Sequence, residues 1–167
     1  IAFANELSIL CDRLNINTLE LIKLSNRHPR VNILDPGPGV GGHCIAVDPW
    51  FIIHKDPKNA KIIKTAREVN IYKTKWVIEK IKNVALDFEK TNGAKPIIGC
   101  FGLAFKPNID DLRESPALYI VEQLKLDGYK ILAVEPNIEN HSDFEVVSQQ
   151  EAIDRSDIFT MLVAHQE

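Results

Sequence analysis

Cysteine is scarce in this 167-residue chain: Cys11, Cys44 and Cys100 make an odd count with no CxxC pair. That excludes a disulfide framework and a zinc knuckle, and it points to a reducing cytoplasm. The five histidines show neither HxH nor HExxH spacing, so no metal site is expected. No apolar run reaches the roughly 20 residues that a bilayer-spanning helix needs. The N-terminal IAFANELSIL lacks the basic region and small-residue cleavage site of a signal peptide. Net charge is only −3, which gives no reason to invoke nucleic acid. With 45% apolar residues the composition is that of an ordinary globular protein, and disorder and low-complexity arrays are excluded as well.

Charge is unevenly spread. Residues 55–95 hold eleven Lys/Arg against five Asp/Glu, and residues 96–167 hold five against thirteen. This asymmetry divides the chain into two modules near Asn92-Gly93, 1–92 and 96–167. The chain opens on Ile1 inside a helix-like pattern (Ile1, Leu7, Leu10, Leu14) and stops after a strand-like run. The expectation is therefore a piece of a larger protein.

Helices are expected over 1–14 and 18–26, the second capped by Thr18, followed by a Gly/Pro-rich loop over 31–49. A long amphipathic helix over 59–90 follows, from Ile62, Ala66, Val69, Tyr72, Trp76, Ile81, Val84 and Phe88, ended by Asn92-Gly93. The period then changes. IIGCFGLAF, YKILAVEP and DIFTMLVA read as strands, alternating with a helix capped by Ser115-Pro116 and a short one capped by Ser148. The fold class is thus an α/β fragment: an all-helical part with a long connecting helix, then three strands of a partial Rossmann-like parallel sheet.

Two motifs carry candidate chemistry. In PGPGVGGHCIAVDP, four of the eight glycines fall within residues 37–42, where backbone N–H groups can approach a polar ligand closely. Cys44 follows directly and Asp48 comes four residues later, a thiol that could act as thiolate and a carboxylate that could orient water. The alternative is a turn with a buried cysteine and a capping aspartate. A Cys44–His43 dyad is a lesser possibility, since side chains adjacent in a loop often diverge. Cys11 and Cys100 sit in apolar runs and are assigned to the core. In FKPNIDDLRESP, Lys106 and Arg113 lie after the first strand and before a helix N-terminus, a placement suited to phosphate or diphosphate. Salt bridges to Asp110, Asp111 and Glu114 are the competing reading. Glu135, at the end of the second strand, mimics the ribose-binding acid of dinucleotide folds, but no GxGxxG accompanies it.

On GPGVGGHCIAVDPWF and FGLAFKPNIDDLRESPA together, the chain resembles the nucleotide-sugar 6-dehydrogenase family, which includes UDP-glucose dehydrogenase. The resemblance covers essentially the whole chain. It implies that residues 1–92 are the central helical dimerisation domain with the catalytic Cys loop, and that 96–167 are the first half of a C-terminal UDP-binding domain. It also implies an NAD-dependent, four-electron oxidation of a sugar C6 alcohol to a carboxylate, in a cytoplasmic homodimer acting on a UDP-sugar. By the same resemblance Cys44 is the nucleophile and Asp48 assists the water or proton steps. Gly41, Phe105 and Lys106 contact substrate, Arg113 faces NAD, and His28 or Arg30 reaches the sugar across the dimer. The NAD domain, with a catalytic lysine and asparagine, would precede Ile1, so the chain alone is expected to be inactive. Val40 and Ile45 stand where UDP-glucose enzymes have aromatic residues, which implies room for a UDP-N-acetylhexosamine, the manno epimer first and the gluco epimer as the alternative. Val47 stands where some relatives have an NAD-contacting lysine. A non-catalytic UDP-sugar-binding or dimerisation module is the reading of a different class.

Overall fold

The structure is a computed structural model and describes residues 1–166. Its first part is helical: α1 (Ala2–Leu14), α2 (Thr18–Ser25), α3 (His43–Lys55) and α4 (Lys61–Asn92). The second part alternates: β1 (Ile97–Phe101), α5 (Pro116–Leu126), β2 (Lys130–Val134), β3 (Glu145–Val146), α6 (Gln149–Arg155) and β4 (Ile158–Met161).

Local chemistry sets most of these boundaries. Asn17, rather than Thr18, caps α2, its side chain accepting from Glu20 N at 3.1 Å. Ser115 caps α5 with Pro116 in the first turn, and Ser148 caps α6 by accepting from Glu151 N. α4 ends at Asn92, with Gly93 in the left-handed conformation beyond it.

The loop and the sheet also depart from expectation. The 31–49 loop is shorter than expected, because its last seven residues belong to α3, with Pro49 inside the helix. Proline in a helix interior removes one i→i−4 bond. Burial of Ala46 and Ile53 and packing of α3 on α4 override that cost. The sheet also has a fourth, two-residue strand, β3, paired to β2 through Leu132–Glu145 and Ala133–Val146.

The sheet is all parallel in the order β3-β2-β1-β4. β1 is central, Ile98 facing Ile131 on one side and Ile158 on the other. Its side chains alternate between faces. Ile98 and Cys100 enter a core with Ile78, Ile81 and Ala85 of α4 and Ile120 and Leu124 of α5. Gly99 faces α6, where an added Cβ would lie 2.7 Å from Ser156 Oγ. The chain reverses direction across the sheet between β1 and β4, the position where open α/β sheets leave a crevice for ligands.

α4 departs from the apolar-face expectation in its first half. Ile62 is 85% exposed and Tyr72 is exposed, whereas Arg67, Asn70, Lys73 and Thr74 are buried. Only from Ile78 onward is the buried line apolar, through Ile81 and Ala85.

Candidate active site

The two glycine- and charge-bearing motifs, seventy residues apart in sequence, meet as one surface. Gly42 N donates to Arg113 O at 3.0 Å. A Cβ on Gly41 would fall 2.4 Å from Glu114 O and 2.7 Å from Phe105 Cβ, so only glycine fits there. Gly42 has φ +78, and an added Cβ would meet the Phe105 ring at 2.9 Å. Glu114, whose carbonyl abuts Gly41, is itself held at φ 51, a conformation that non-glycine residues adopt at a cost of order 1 kcal/mol.

From this junction α3 begins, with Gly42 as its cap. Cys44 therefore sits in the first turn of a helix rather than on a loop, and it is exposed. Asp48, four residues on, is also exposed and lies on the same helix face. The buried-cysteine alternative does not describe this position. Cys11 and Cys100 are buried, as assigned, and burial pushes the Cys100 thiol up to about 12. Cys44 is the accessible thiol of the three.

The glycine segment is also held from the helical side. Asn5 Oδ1 accepts from Gly37 N at 2.9 Å, and Asn5 Nδ2 donates to Asn70 Oδ1 at 2.9 Å. Lys73 Nζ donates to Ser8 Oγ at 2.8 Å, and Ser8 Oγ donates to Asn5 O at 2.7 Å. Burial drives the Lys73 ammonium down to about 8, against the opposing pull of Asp12. This buried polar network joins α1, α4 and the glycine segment. Sequence reasoning missed it, because its members are polar residues on faces that the apolar pattern assigns to solvent.

Lys106 and Arg113 flank the same surface. Arg113 grips Asp111 in a forked pair, Nη2 to Oδ2 at 2.7 Å and Nε to Oδ1 at 3.0 Å, which holds the Asp111 carboxyl down at about 2. Arg113 therefore takes Asp111, out of the three carboxylates expected to compete. Its guanidinium remains largely exposed and lies within electrostatic reach of Cys44. Lys106 is exposed, its ammonium 5.6 Å from the centre of the Phe105 ring.

Glu135 plays a different part from the ribose-binding acid it resembles. It is 3% exposed, and Oε2 accepts from Leu103 N at 2.7 Å and Ala104 N at 3.0 Å. Oε1 accepts from Asn137 N at 3.2 Å. Burial pushes its carboxyl up, yet these amides and His165 outweigh that, and the net direction is down. Both oxygens are occupied: Oε2 holds the loop that carries Phe105 and Lys106, and Oε1 holds the turn at Asn137.

Residues 1–72 match the profile described as UDP-glucose/GDP-mannose dehydrogenase family, central domain, and residues 99–167 match that family's UDP binding domain. The chain belongs to the UDP-glucose/GDP-mannose dehydrogenase family. It is 58% identical over 175 residues to the UDP-N-acetyl-D-mannosamine dehydrogenase of Campylobacter jejuni, covering 100% of this chain and 42% of that protein. It is 51% identical to the NDP-N-acetyl-D-galactosaminuronic acid dehydrogenase of Ralstonia nicotianae, covering 100% and 40%. Among solved structures, the UDP-N-acetyl-mannosamine dehydrogenase of Staphylococcus aureus superposes with a TM-score of 0.83 at 43% identity, over 98% of this chain and 38% of that one. The enzyme of Pyrococcus horikoshii named for the same sugar gives 0.86 at 31%, over 99% and 38%. The chain thus spans about two fifths of the length of the relatives it matches.

Within this family fragment the remaining expected residues are scattered. Val40 is half-buried and lines a groove between α4 and α5, beside Arg67, Thr74 and Pro116. His28 and Arg30 are exposed in the turn after α2, where His28 Nδ1 accepts from Arg30 N at 3.2 Å. Among the described residues neither is hydrogen-bonded or ion-paired to the Cys44 surface. No group of three or more His, Cys, Asp or Glu capable of holding a metal occurs among the described residues. No described helix is long and apolar enough to cross a membrane.

Proposed function

We propose that the chain is the central and partial UDP-binding portion of a UDP-N-acetyl-D-mannosamine 6-dehydrogenase. The supporting observation is the docking of Gly41-Gly42 onto Phe105, Arg113 and Glu114, which presents Cys44, Asp48, Lys106 and Arg113 on one exposed surface. Relatives named for N-acetylated sugars support the N-acetylhexosamine class, and Val40 and Ile45 are small enough to leave room for the acetamido group.

A nicotinamide cofactor, NAD in this reading, supplies the hydride acceptor when bound. Of the described residues, Arg113 would face it, its largely exposed guanidinium turned toward a phosphate. Glu135, the acid that would hold a ribose, has both oxygens engaged by amides, so this sheet is not the cofactor's seat. The chain's own residues serve the sugar carbon. Lys106 and the Phe105 turn hold the diphosphate, and Gly41 lets the sugar come close to the backbone. Loss of a first hydride to the acceptor, with the hydroxyl proton, would turn the C6 alcohol into an aldehyde, and the Cys44 thiol then adds across its C=O, sulfur to carbon and proton to oxygen, as a thiohemiacetal. Loss of a second hydride to a second acceptor molecule, with the hydroxyl proton, would leave a thioester, which water hydrolyses to the uronate, releasing the thiol. Asp48, on the same face as Cys44, orients that water and takes its proton.

Exposed Phe3, Leu10, Leu14, Leu19, Phe51 and Ile62 give the helical part an apolar surface suited to a second copy. In such a homodimer His28 or Arg30 would reach the partner's sugar. Residues 1–92 serve as the dimerisation unit and 96–167 as the nucleotide unit of a cytoplasmic enzyme. The test measures NADH formation from UDP-N-acetylmannosamine and NAD by the whole polypeptide, its Cys44→Ser variant and the present chain. Turnover by the whole polypeptide alone supports the proposal; turnover by Cys44→Ser refutes the nucleophile. UDP-N-acetylglucosamine preferred over the manno epimer would reassign the substrate, and a whole polypeptide inert with every UDP-sugar would make it a binding module.

A further inference from the structure

At the carboxyl ends of β1, β2 and β4 lies a cavity of about 670 Å3, with Gly102, Glu135, Ser148 and His165 among its walls. The His165 side chain is 6% exposed and belongs to neither motif. Its Nδ1 accepts from Asn108 N at 3.1 Å. Its Nε2 lies 3.2 Å from Glu135 Oε2, off the line of a well-aligned hydrogen bond and therefore chiefly an electrostatic contact. A backbone amide can only donate, so Nδ1 must offer its lone pair and the ring proton must sit on Nε2, facing the carboxylate. Asn137 Nδ2, 3.3 Å from Nδ1, is a second donor on the same side.

These contacts bracket the Lys106 turn. Its start is fixed where Leu103 N and Ala104 N donate to Glu135. Its end is fixed at Asn108, which stands at φ 61, with its amide on His165 and its Oδ1 accepting from Gln166 N at 3.0 Å. Between them lie only Phe105, Lys106 and Pro107, and Pro107 has no N–H of its own. One carboxylate and one imidazole therefore hold both ends of a five-residue segment whose middle carries the exposed cation.

We propose that His165, in the Nε2–H tautomer fixed by the Asn108 amide, is the positioning residue for Lys106 and sets its affinity for the nucleotide diphosphate. This rests on the reading of Lys106 as the diphosphate-binding residue. His165 acts through the turn and touches no substrate.

The experiment uses the whole polypeptide and three readouts. Nitrogen-15 NMR of the imidazole should show an unprotonated Nδ1; a protonated Nδ1 overturns the proposal. Calorimetric titration with UDP should separate two substitutions. His165→Asn keeps an acceptor near Nδ1 and should bind within about twofold of the parent. His165→Gln reaches toward Glu135 instead, leaves the Asn108 amide unpaired, and should bind roughly fivefold to tenfold more weakly, the equivalent of one hydrogen bond. Equal weakening in both variants would mark a general packing role and overturn the proposal, as would undiminished binding by His165→Gln. In the Lys106→Ala background, His165→Gln should cost nothing further, since it acts through Lys106. If the parent chain does not bind UDP at all, the diphosphate reading of Lys106 falls. The shift of the Asn108 amide in His165→Gln then still decides whether His165 holds the turn.

Discussion

Replacing Lys73 with methionine should stabilise the chain at neutral pH and lose that advantage in alkali. The Lys73 side chain belongs to a residue only 7% exposed, and its ammonium donates to Ser8 Oγ and lies 4.1 Å from the centre of the Trp76 ring. Burial nonetheless lowers its pKa from 10.5 to about 8. That difference corresponds to roughly 3 kcal/mol against the charged form in the folded state. The direction follows from proton counting. Below pH 8 the lysine is charged whether folded or unfolded, and the folded state bears the whole penalty. Between about 8 and 10.5 the folded chain releases the proton that the unfolded chain still holds, so stability rises with pH; above 10.5 no penalty remains. Methionine removes the charge at similar volume and forfeits a hydrogen bond of about 1 kcal/mol. Lys73→Met should therefore be about 2 kcal/mol more stable than the parent at pH 7 and about 1 kcal/mol less stable near pH 10.5. Urea unfolding followed by circular dichroism at both pH values measures the two differences, and other groups titrating in that range cancel between parent and variant. An equal difference at both pH values would refute the argument.

Gly41→Ala must drive a methyl group into the Glu114 carbonyl and Phe105, and should cost about 2–3 kcal/mol in unfolding free energy. Ser115 both caps Leu118 N and donates to Leu103 O at 2.6 Å, so Ser115→Ala should lower stability by about 1–2 kcal/mol in the same assay. A thiol reagent should modify Cys44 in the native chain while Cys11 and Cys100 react only after denaturant is added, as peptide mapping of the adducts would show. The Asp111 carboxyl should titrate near 2 by NMR and return toward 3.8 in Arg113→Gln. Because the folded-state pKa is the lower one, the pairing supports the fold above about pH 4 and is lost as pH falls through 2.

What could be read in the sequence follows physical lines. β1, β2 and β4, the Ser115 and Ser148 caps and the glycine after α4 are local events, written in apolar runs and in residues that favour one conformation. α3 was hidden because Gly42 and Pro49 argue locally against a helix, and only the docking of Ala46 and Ile53 reverses that. β3 is too short to have a period. The first half of α4 buries Arg67, Asn70, Lys73 and Thr74, so a search for apolar recurrence picked Ile62 and Tyr72 on the wrong side of the helix. At the site, Cys44, Asp48, Lys106 and Arg113 stood out by residue type. Their supports, Asn5, Ser8 and His165, did not, because a buried polar residue declares itself only through partners distant in sequence: Asn5 and Asn70 are 65 positions apart, and Asn108 and His165 are 57.

α4 runs without a break for 32 residues, about 48 Å at the usual rise, and it packs on α1 and α3 as well as on α5. A helix shared in this way leaves no joint between the segment bearing Cys44 and the one bearing Lys106, and the Gly42–Arg113 bond locks the two together a second time. The spacing between thiol and ammonium is therefore built in rather than reached by closure. If the proposed function holds, any motion that admits a sugar nucleotide and shuts out water would not be a change in this spacing. A covalent staple between α3 and the 105–114 loop should consequently leave catalysis by the whole polypeptide intact.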